Sequence, residues 1–218
     1  MTQLTERDLR QRDIVPPEKL AQYRPTVIGV GAIGRQVALQ LAAIGVPWLQ
    51  LIDHDTVEEV NLAPQGFLQG DLGRQKVHAV GDCCHQINHM LEMHEHPEKF
   101  RRSMEIGDVL FCCVDSIQTR QHIWEAVKDR VDFFADGRMT AEIVRVLAAA
   151  DQPSRDHYPT TLFQAEEAVQ GTCTAKSTIF TANIAAGLML EQFARWLRRM
   201  PVDADLQLNL LTSELSVV

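Results

Sequence analysis

The chain has 218 residues, of which 45% are hydrophobic and 23% are charged, and its formal net charge is −8. This length suits one large α/β domain or two small ones, with enough apolar residues for a sizeable core. The acidic balance argues against broad nucleic-acid binding, which needs concentrated lysine and arginine, but it is compatible with a local basic pocket.

The cysteines and the N-terminus favour a cytoplasmic protein. The sequence has no run of about 18 or more apolar residues that could span a membrane. Its polar N-terminus lacks the apolar stretch of a secretory signal. An odd number of cysteines is a poor disulfide framework, and the five are Cys83, Cys84, Cys112, Cys113 and Cys173. We therefore expect a reducing, cytoplasmic location.

The first half of the chain begins with a charged segment and continues into a regular pattern. We expect an N-terminal arm over residues 1–25 and a single domain over residues 26–218. Residues 26–31 predict a buried strand, residues 33–44 a helix and residues 48–53 a second strand. This order is a βαβ unit, which predicts a parallel strand pair with a right-handed crossover.

The rest of the chain continues the alternation after an irregular stretch. Residues 54–73 predict a long loop, and long ordered loops are usually functional. Further helices are predicted at 74–90, 117–129 and 176–199, further strands at 91–95, 108–114, 132–135, 142–149 and 206–217, and a second loop at 150–174. The predicted fold class is therefore α/β: a Rossmann-like, mostly parallel sheet flanked by helices. Such sheets bind ligands beyond the carboxyl ends of their strands.

A glycine motif lies between the first strand and the first long helix. Residues 29–34 read GVGAIG and fit GxGxxG. Glycine allows a tight turn and a close backbone approach, and the helix offers free N–H groups to phosphate. Asp53 ends the second strand 19 positions after Gly34, where an acid can hold ribose hydroxyls. The predicted nucleotide contacts are Gly29, Gly31, Ala32, Ile33, Gly34 and Asp53. A tight turn without nucleotide is the alternative, and an NAD-dependent oxidoreductase fits these residues equally well.

The next motifs resemble one family. Residues 53–62, DHDTVEEVNL, are similar to the DxDxVxxxNL signature of the ThiF/MoeB family. Residues 73–77 resemble its G-x-x-K-V segment, and residues 115–120 resemble its D-x-x-x-x-R at a strand end. Arg10-Gln11 resembles the Arg-Gln pair that precedes its first strand. Several weak motifs in the family's order are far more specific than one.

The resemblance implies a compact, bacterial-type adenylyltransferase related to the catalytic cores of ubiquitin-activating enzymes. Such an enzyme uses ATP and magnesium to activate the C-terminal carboxylate of a small ubiquitin-like or sulfur-carrier protein. Both reactants are anions, so the site must neutralise their charge and align them. A homodimer is also expected.

The resemblance assigns roles to several polar residues. Asp55, Asn61 and Lys76 would contact the nucleotide, although Asn61 also suits a turn and Lys76 a solvated helix surface. Asp115 would be catalytic and hold magnesium, a hard cation that prefers oxygen ligands. A helix N-cap is its alternative role. Arg120 would orient Asp115, or would be a surface arginine.

Two further residues are candidates by resemblance. Arg10 would reach the nucleotide of the opposite subunit, and a solvated charged arm is the alternative. Cys173 precedes the long predicted helix and would accept the activated carboxylate, since a thiol near a helix N-terminus has a lowered pKa.

One position departs from the family pattern. The family usually reads N-L-x-R-Q with an arginine that assists pyrophosphate departure, but this chain has Pro64 there. We expect Arg74 or Arg138 to substitute for that cation. Otherwise the chain would bind ATP as a non-catalytic partner subunit.

Overall fold

An eight-stranded sheet organises residues 6–163 and 178–217, which are the residues that the computed structural model describes. The strands are β1 (Pro25–Ile28), β2 (Trp48–Ile52), β3 (Glu92–His96), β4 (Val109–Cys112), β5 (Phe133–Thr140), β6 (Ile143–Ala149), β7 (Asp205–Asn209) and β8 (Glu214–Val217). Their order across the sheet is β3-β2-β1-β4-β5-β6-β7-β8. The first five of these are parallel, and β6, β7 and β8 join antiparallel. The predicted α/β, Rossmann-like class is confirmed.

Helices cover both faces of the sheet. They are α1 (Pro17–Leu20), α2 (Ala32–Ile44), α3 (Glu59–Gln65), α4 (Lys76–Ile87), α5 (Ile117–Val127), α6 (Gln152–His157) and α7 (Ile179–Leu197). The helices α2, α4 and α7 share one apolar core, and α5 contributes to a second core on the opposite face. None of the helices in these two described ranges combines the length and apolarity needed to cross a membrane.

The parallel strands are buried on both faces because each face has its own core. In β5, Phe133 packs into the first core and its neighbour Phe134 into the second. In β4, Phe111 and Leu110 divide in the same way. Successive side chains of a strand point to opposite faces, so a sheet covered by helices on both sides needs a continuous apolar run. The sequence of the predicted strands has this character.

The strand order reverses at β1. The chain passes from β1 outward to β2 and β3 on one side, and β4 and β5 follow on the other side of β1. A crevice forms at such a reversal, outside the carboxyl ends of the strands, and ligands of open α/β sheets bind there. The glycine motif directly follows β1, so the fold places it at this crevice.

The predicted loops contain more structure than we expected. Residues 54–73 include α3 and a 3₁₀ turn, Gln69–Asp71. Glu58 and Asn61 form a capping box that starts α3. Residues 150–163 include α6, which Asp151 starts by accepting a hydrogen bond from the Ser154 N–H at 3.0 Å. The predicted last strand is two strands, β7 and β8. Residues 164–177 lie outside the description.

The described part of the N-terminal segment packs on the domain. Val15 and Leu20 are buried in the first core. Arg7 donates to the carbonyl of Ala42 at 2.6 Å, and Gln11 Nε2 donates to the carbonyl of Ile44 at 3.0 Å. These bonds cap the C-terminal end of α2 and supply partners to carbonyls that the helix leaves unpaired. The division into an arm and a single domain stays a prediction.

Two features fix the C-terminal part of the chain. The apolar residues Met189, Phe193 and Leu197 of α7 belong to the first core and are at most 3% exposed. In β7, the buried Asp205 accepts hydrogen bonds from Arg145 at 2.9 and 2.5 Å and contacts His157. Burial raises the pKa of Asp205, but the hydrogen bonds from these two side chains outweigh it and leave the pKa below its ordinary value.

Candidate active site

The glycine motif forms a tight turn between β1 and α2. Gly29 has φ +83°, and a Cβ there would lie 2.9 Å from the carbonyl oxygen of Cys113. At Gly34, a Cβ would lie 1.8 Å from the carbonyl oxygen of Gly29. A side chain at Gly29 would force the ends of β1 and β4 apart, and one at Gly34 would force α2 away from the end of β1. Gly31 is the N-cap of α2 and provides no side-chain cap, so the first N–H groups of α2, from Ala32 and Ile33 onward, are left for an anion.

Asp53 connects the glycine turn to the loop after β2. Its Oδ2 accepts the Val30 N–H at 2.7 Å, and its Oδ1 accepts the Asp55 N–H at 2.8 Å. A carboxylate has about four lone-pair sites, so Asp53 can still accept hydrogen bonds from hydroxyl groups. The ribose contact of Asp53 stays a prediction.

Lys76 and Asp55 form an ion pair at the start of α4. Lys76 Nζ lies 3.0 Å from Asp55 Oδ2, and the side chains are 7% and 50% exposed. The Lys76 N–H also donates to the Asp55 carbonyl at 2.9 Å. The alternative of a solvated surface lysine is therefore wrong. A buried ammonium needs a charged partner. Asp55 provides that charge, and its own side chain stays half exposed to solvent.

Asn61 and Asp115 occupy different local structures from those that their alternatives proposed. Asn61 Oδ1 accepts the Glu58 N–H at 3.0 Å in the capping box of α3, so Asn61 lies in the first turn of a helix and not in a loop turn. The exposed Asp115 follows β4, but the N-cap of α5 is Ser116, whose Oγ accepts the Thr119 N–H at 3.3 Å. The N-cap role of Asp115 is therefore wrong. The nucleotide role of Asn61 and the metal role of Asp115 stay predictions.

Arg120 supports the backbone that carries Asp115. It is 5% exposed, forms an ion pair with Asp136, and donates to the carbonyls of Val114 and Gly137. The surface-arginine alternative is wrong. Arg120 instead holds the carbonyl that immediately precedes Asp115, so it fixes the position of this carboxylate through the main chain.

The two arginines expected to replace the family's cation are both engaged. Arg74 binds Asp71 at 3.1 Å and Asp82 at 2.5 Å. The hydrogen bond to Asp82 raises the pKa of Arg74 above its ordinary value. Arg138 binds Asp136 at 2.8 Å, and its other nitrogens donate to Thr161.

Three buried polar groups were missed by sequence reasoning. Arg35 Nε, Gln65 Oε1 and Gln75 Oε1 are buried atoms without a hydrogen-bond partner in the part of the chain that is described. Gln65 Oε1 lies 3.6 Å from where a Cβ of Gly31 would be, and Gln75 directly precedes Lys76. Buried polar groups are normally paired, so these atoms are candidates for hydrogen bonds to a polar ligand. A sequence signal existed for Arg35, because a cation in the first turn of a helix opposes the helix dipole.

Magnesium would find oxygen ligands at this edge of the sheet. One set of donor atoms, from Asp53, His54 and Asp55, lies within 4.8 Å of one another. Asp115 is outside that set, and as a single carboxylate it matches the way magnesium binds through one or two carboxylates plus substrate phosphates and water.

Arg10 and Cys173 are the remaining catalytic candidates. Cys173 falls outside the described residues. Burial raises the pKa of Cys84 to about 12 and also raises the pKa of Cys112 and Cys113, so these thiols are poor nucleophiles. Arg10 is exposed beside Gln11, at the C-terminal end of α2. The 13 residues of α2 span roughly 20 Å at 1.5 Å per residue, so Arg10 does not approach the glycine turn of its own chain.

Comparison with known proteins agrees with these motifs. The model of the ThiF family matches residues 6–214. The chain belongs to the ThiF family. The resemblance inferred from the sequence is thereby confirmed.

Curated relatives of this ThiF-family chain match about half of it. The adenylyltransferase and sulfurtransferase MOCS3-2 of Zea mays is 35% identical over 111 residues, which are 48% of this chain and 23% of the relative. The ubiquitin-like modifier-activating enzyme 5 of Mus musculus is 30% identical over 123 residues, which are 49% of this chain and 30% of the relative. The matched region is therefore under a third of each relative's length.

Solved structures share the fold of this ThiF-family chain over its whole length. E. coli MccB with MccA-N7isoASN has a TM-score of 0.81 at 15% identity and covers 99% of this chain and 72% of its own. PaaA has a TM-score of 0.78 at 19% identity and covers 100% of this chain and 75% of its own. At these identities the likeness establishes the fold alone.

Proposed function

We propose that this ThiF-family chain is an ATP-dependent adenylyltransferase that activates the C-terminal carboxylate of a small ubiquitin-like or sulfur-carrier protein. One observation carries the proposal: Asp53 binds the glycine turn and the backbone of Asp55, and Asp55 binds the buried Lys76. This connected set lies at the carboxyl edge of the sheet, where a nucleotide would bind. The names of the relatives, MOCS3 and ubiquitin-like modifier-activating enzyme 5, support the same activity.

The proposed reaction joins two anions. An oxygen of the substrate carboxylate attacks the α-phosphorus of ATP, the bond to the β-phosphate breaks, and pyrophosphate leaves with the negative charge. The N–H groups of α2 and the Lys76 ammonium face the phosphates and lower the repulsion. Asp53 holds the ribose hydroxyls. Magnesium, held by Asp115, would neutralise phosphate charge.

The proposed assembly is a homodimer. Arg10 lies far from the glycine turn of its own chain, so its predicted contact with a nucleotide requires a second subunit. The cytoplasmic location and the transfer of the activated carboxylate to Cys173 are further parts of the proposal, and they rest on cysteine usage and on the family motifs.

A non-catalytic, ATP-binding partner subunit is the second candidate function. Pro64 replaces a cation, and Arg74 and Arg138, the residues expected to replace it, are engaged with carboxylates. An NAD-dependent oxidoreductase receives no support from the family match.

Calorimetric titration and pyrophosphate exchange test the proposal together. We expect the chain to bind ATP–magnesium and not NAD, and to exchange pyrophosphate into ATP when a carrier with a flexible C-terminal tail is supplied. Lys76→Ala should abolish ATP binding. Lys128→Ala is the matched control, because that lysine lies in an exposed pair with Glu125 and should change nothing.

The outcomes separate the candidates. ATP binding without exchange for any carrier would favour the non-catalytic subunit. Tight binding of NAD with no response to ATP–magnesium would disprove both ATP-dependent functions.

A further inference from the structure

One buried cation in the first turns of α2 has no anionic partner among the described residues. Arg35 is the fourth residue of α2 and is 8% exposed. Across residues 6–163 and 178–217 no carboxylate lies within ion-pair distance of its guanidinium, and its Nε has no hydrogen-bond partner. Its guanidinium contacts the Cys83 sulfur at 4.0 Å and the ring of Phe67, whose centroid is 5.4 Å away.

This arrangement is unfavourable for a cation in two ways. A charge taken out of water is normally paired, because neither a thiol nor an aromatic ring replaces the lost hydration of a guanidinium. Arg35 also lies in the first turns of α2, where the positive end of the helix dipole repels cations. The first turn of α2 contains no acidic residue that could compensate. Both penalties disappear when an anion binds.

The backbone at Gly66 leaves room for the guanidinium of Arg35. A Cβ on Gly66 would lie 3.2 Å from Arg35 Nη1, and Gly66 has φ +77°. The Oε1 atom of the preceding residue, Gln65, points at Gly31 and has no hydrogen-bond partner in the described part of the chain. Gln65 and Gly66 directly follow Pro64, so Arg35 reaches the segment from which the family's arginine is missing.

We propose that Arg35 is the cation that binds the pyrophosphate end of the nucleotide. The inference rests on the proposed function, since it assumes that the anion is a polyphosphate at the N-terminus of α2. Arg35 would supply bidentate hydrogen bonds to phosphate oxygens. It would take the role that we expected of Arg74 or Arg138, both of which already bind carboxylates.

Replacement by an apolar side chain separates this role from a structural one. In Arg35→Met the packing on Phe67 is kept and the unpaired charge is removed. The thermal midpoint without ligand should stay the same or rise, since a buried charge without a partner destabilises the fold. Pyrophosphate should no longer raise that midpoint, and the rate of pyrophosphate exchange should fall by ~10²-fold or more.

Two further variants complete the experiment. Arg35→Lys keeps a charge and should retain part of the midpoint rise with pyrophosphate, which also covers the case that the methionine variant does not fold. Arg195→Met is the matched control, because that arginine lies on α7, away from the glycine turn, and binds Asp203 at 2.6 Å. It should respond to pyrophosphate as the parent does.

The possible results are distinct. If Arg35→Met lowers the midpoint and keeps the full response to pyrophosphate, Arg35 is structural and the inference is overturned while the proposed function stands. A loss of the response in Arg195→Met as well would also overturn it. If the parent responds neither to pyrophosphate nor to ATP–magnesium, the proposed function and the inference both fail.

Discussion

The buried carboxylate of Asp136 binds three side chains, one of which, Arg120, also holds the carbonyl that precedes Asp115. It is 0% exposed, forms an ion pair with Arg120, accepts from Arg138 Nε at 2.8 Å and accepts from the Tyr158 hydroxyl at 3.0 Å. Burial raises the pKa of Tyr158, so the phenol keeps the proton that it donates. We predict that Asp136→Asn, which keeps the shape and removes the charge, strongly destabilises the protein.

The expected loss of unfolding free energy follows from the two cations that the Asp136→Asn substitution leaves without a carboxylate. The side chains of Arg120 and Arg138 are 6% and 14% exposed, so both cations would stay buried without a charged partner. Removing one member of a buried pair lowers the free energy of unfolding by about 3–5 kcal/mol. The free energy of unfolding of a typical domain is about 5–15 kcal/mol, so this loss is a large fraction of it. Arg120→Met should lower the free energy of unfolding less, because Asp136 still forms its ion pair with Arg138.

Urea unfolding of a double-mutant cycle measures this coupling. The variant with both substitutions, Asp136→Asn and Arg120→Met, should be less destabilised than the sum of the single variants, by about 1–3 kcal/mol. Asp156→Asn is the control, because that exposed residue binds Gln152 at the surface and should change stability by less than about 0.5 kcal/mol. A change of under about 1 kcal/mol for Asp136→Asn, or strict additivity in the cycle, would refute the reasoning.

Further predictions concern the site, the sheet and the assembly. Asp115→Ala should abolish pyrophosphate exchange without changing the unfolding midpoint, because the residue is exposed and does not cap α5; full exchange activity would disprove its metal role. Gly34→Ala should lower the midpoint and abolish ATP binding, because its Cβ would overlap the carbonyl oxygen of Gly29; normal binding by calorimetry would contradict this. The lowered pKa of Asp205 means that its stabilising contribution is present above its unfolded pKa and is lost as the pH falls through its lower folded value. Asp205→Asn should therefore destabilise the protein by about 2 kcal/mol at neutral pH, and an effect on urea unfolding that does not shrink in acid would be inconsistent with this. Mixing Arg10→Ala with Lys76→Ala subunits should partly restore activity in mixed dimers, and no recovery despite proven subunit exchange would mean that Arg10 does not act across subunits.

Local residue chemistry explains why some of the candidate site could be inferred before the fold was known. The glycines of the turn are restricted by positive φ and by steric overlap, and Asp53 is limited to the end of a strand. Such requirements act over a few residues, so they are visible in a short stretch of sequence. Lys76 was also identified, although its burial was not.

Other assignments depended on partners that are distant in sequence. Arg120 was expected at the surface or against Asp115, but it binds Asp136 and the Val114 carbonyl. Ser116 caps α5 in place of Asp115. Helical periodicity cannot distinguish a buried arginine from an exposed one when the carboxylate that pairs with it belongs to a strand that is distant in sequence.

The sequence by itself determined the α/β class, the βαβ unit around the glycine turn and the family, because periodicity and motif spacing are local properties of the chain. The tertiary structure alone decided which charges are satisfied. Arg74 and Arg138 are held by carboxylates, whereas Arg35 is buried with none among the residues described. Electrostatic energy depends on distance and burial in space, and neither of these quantities can be read from the order of residues along the chain.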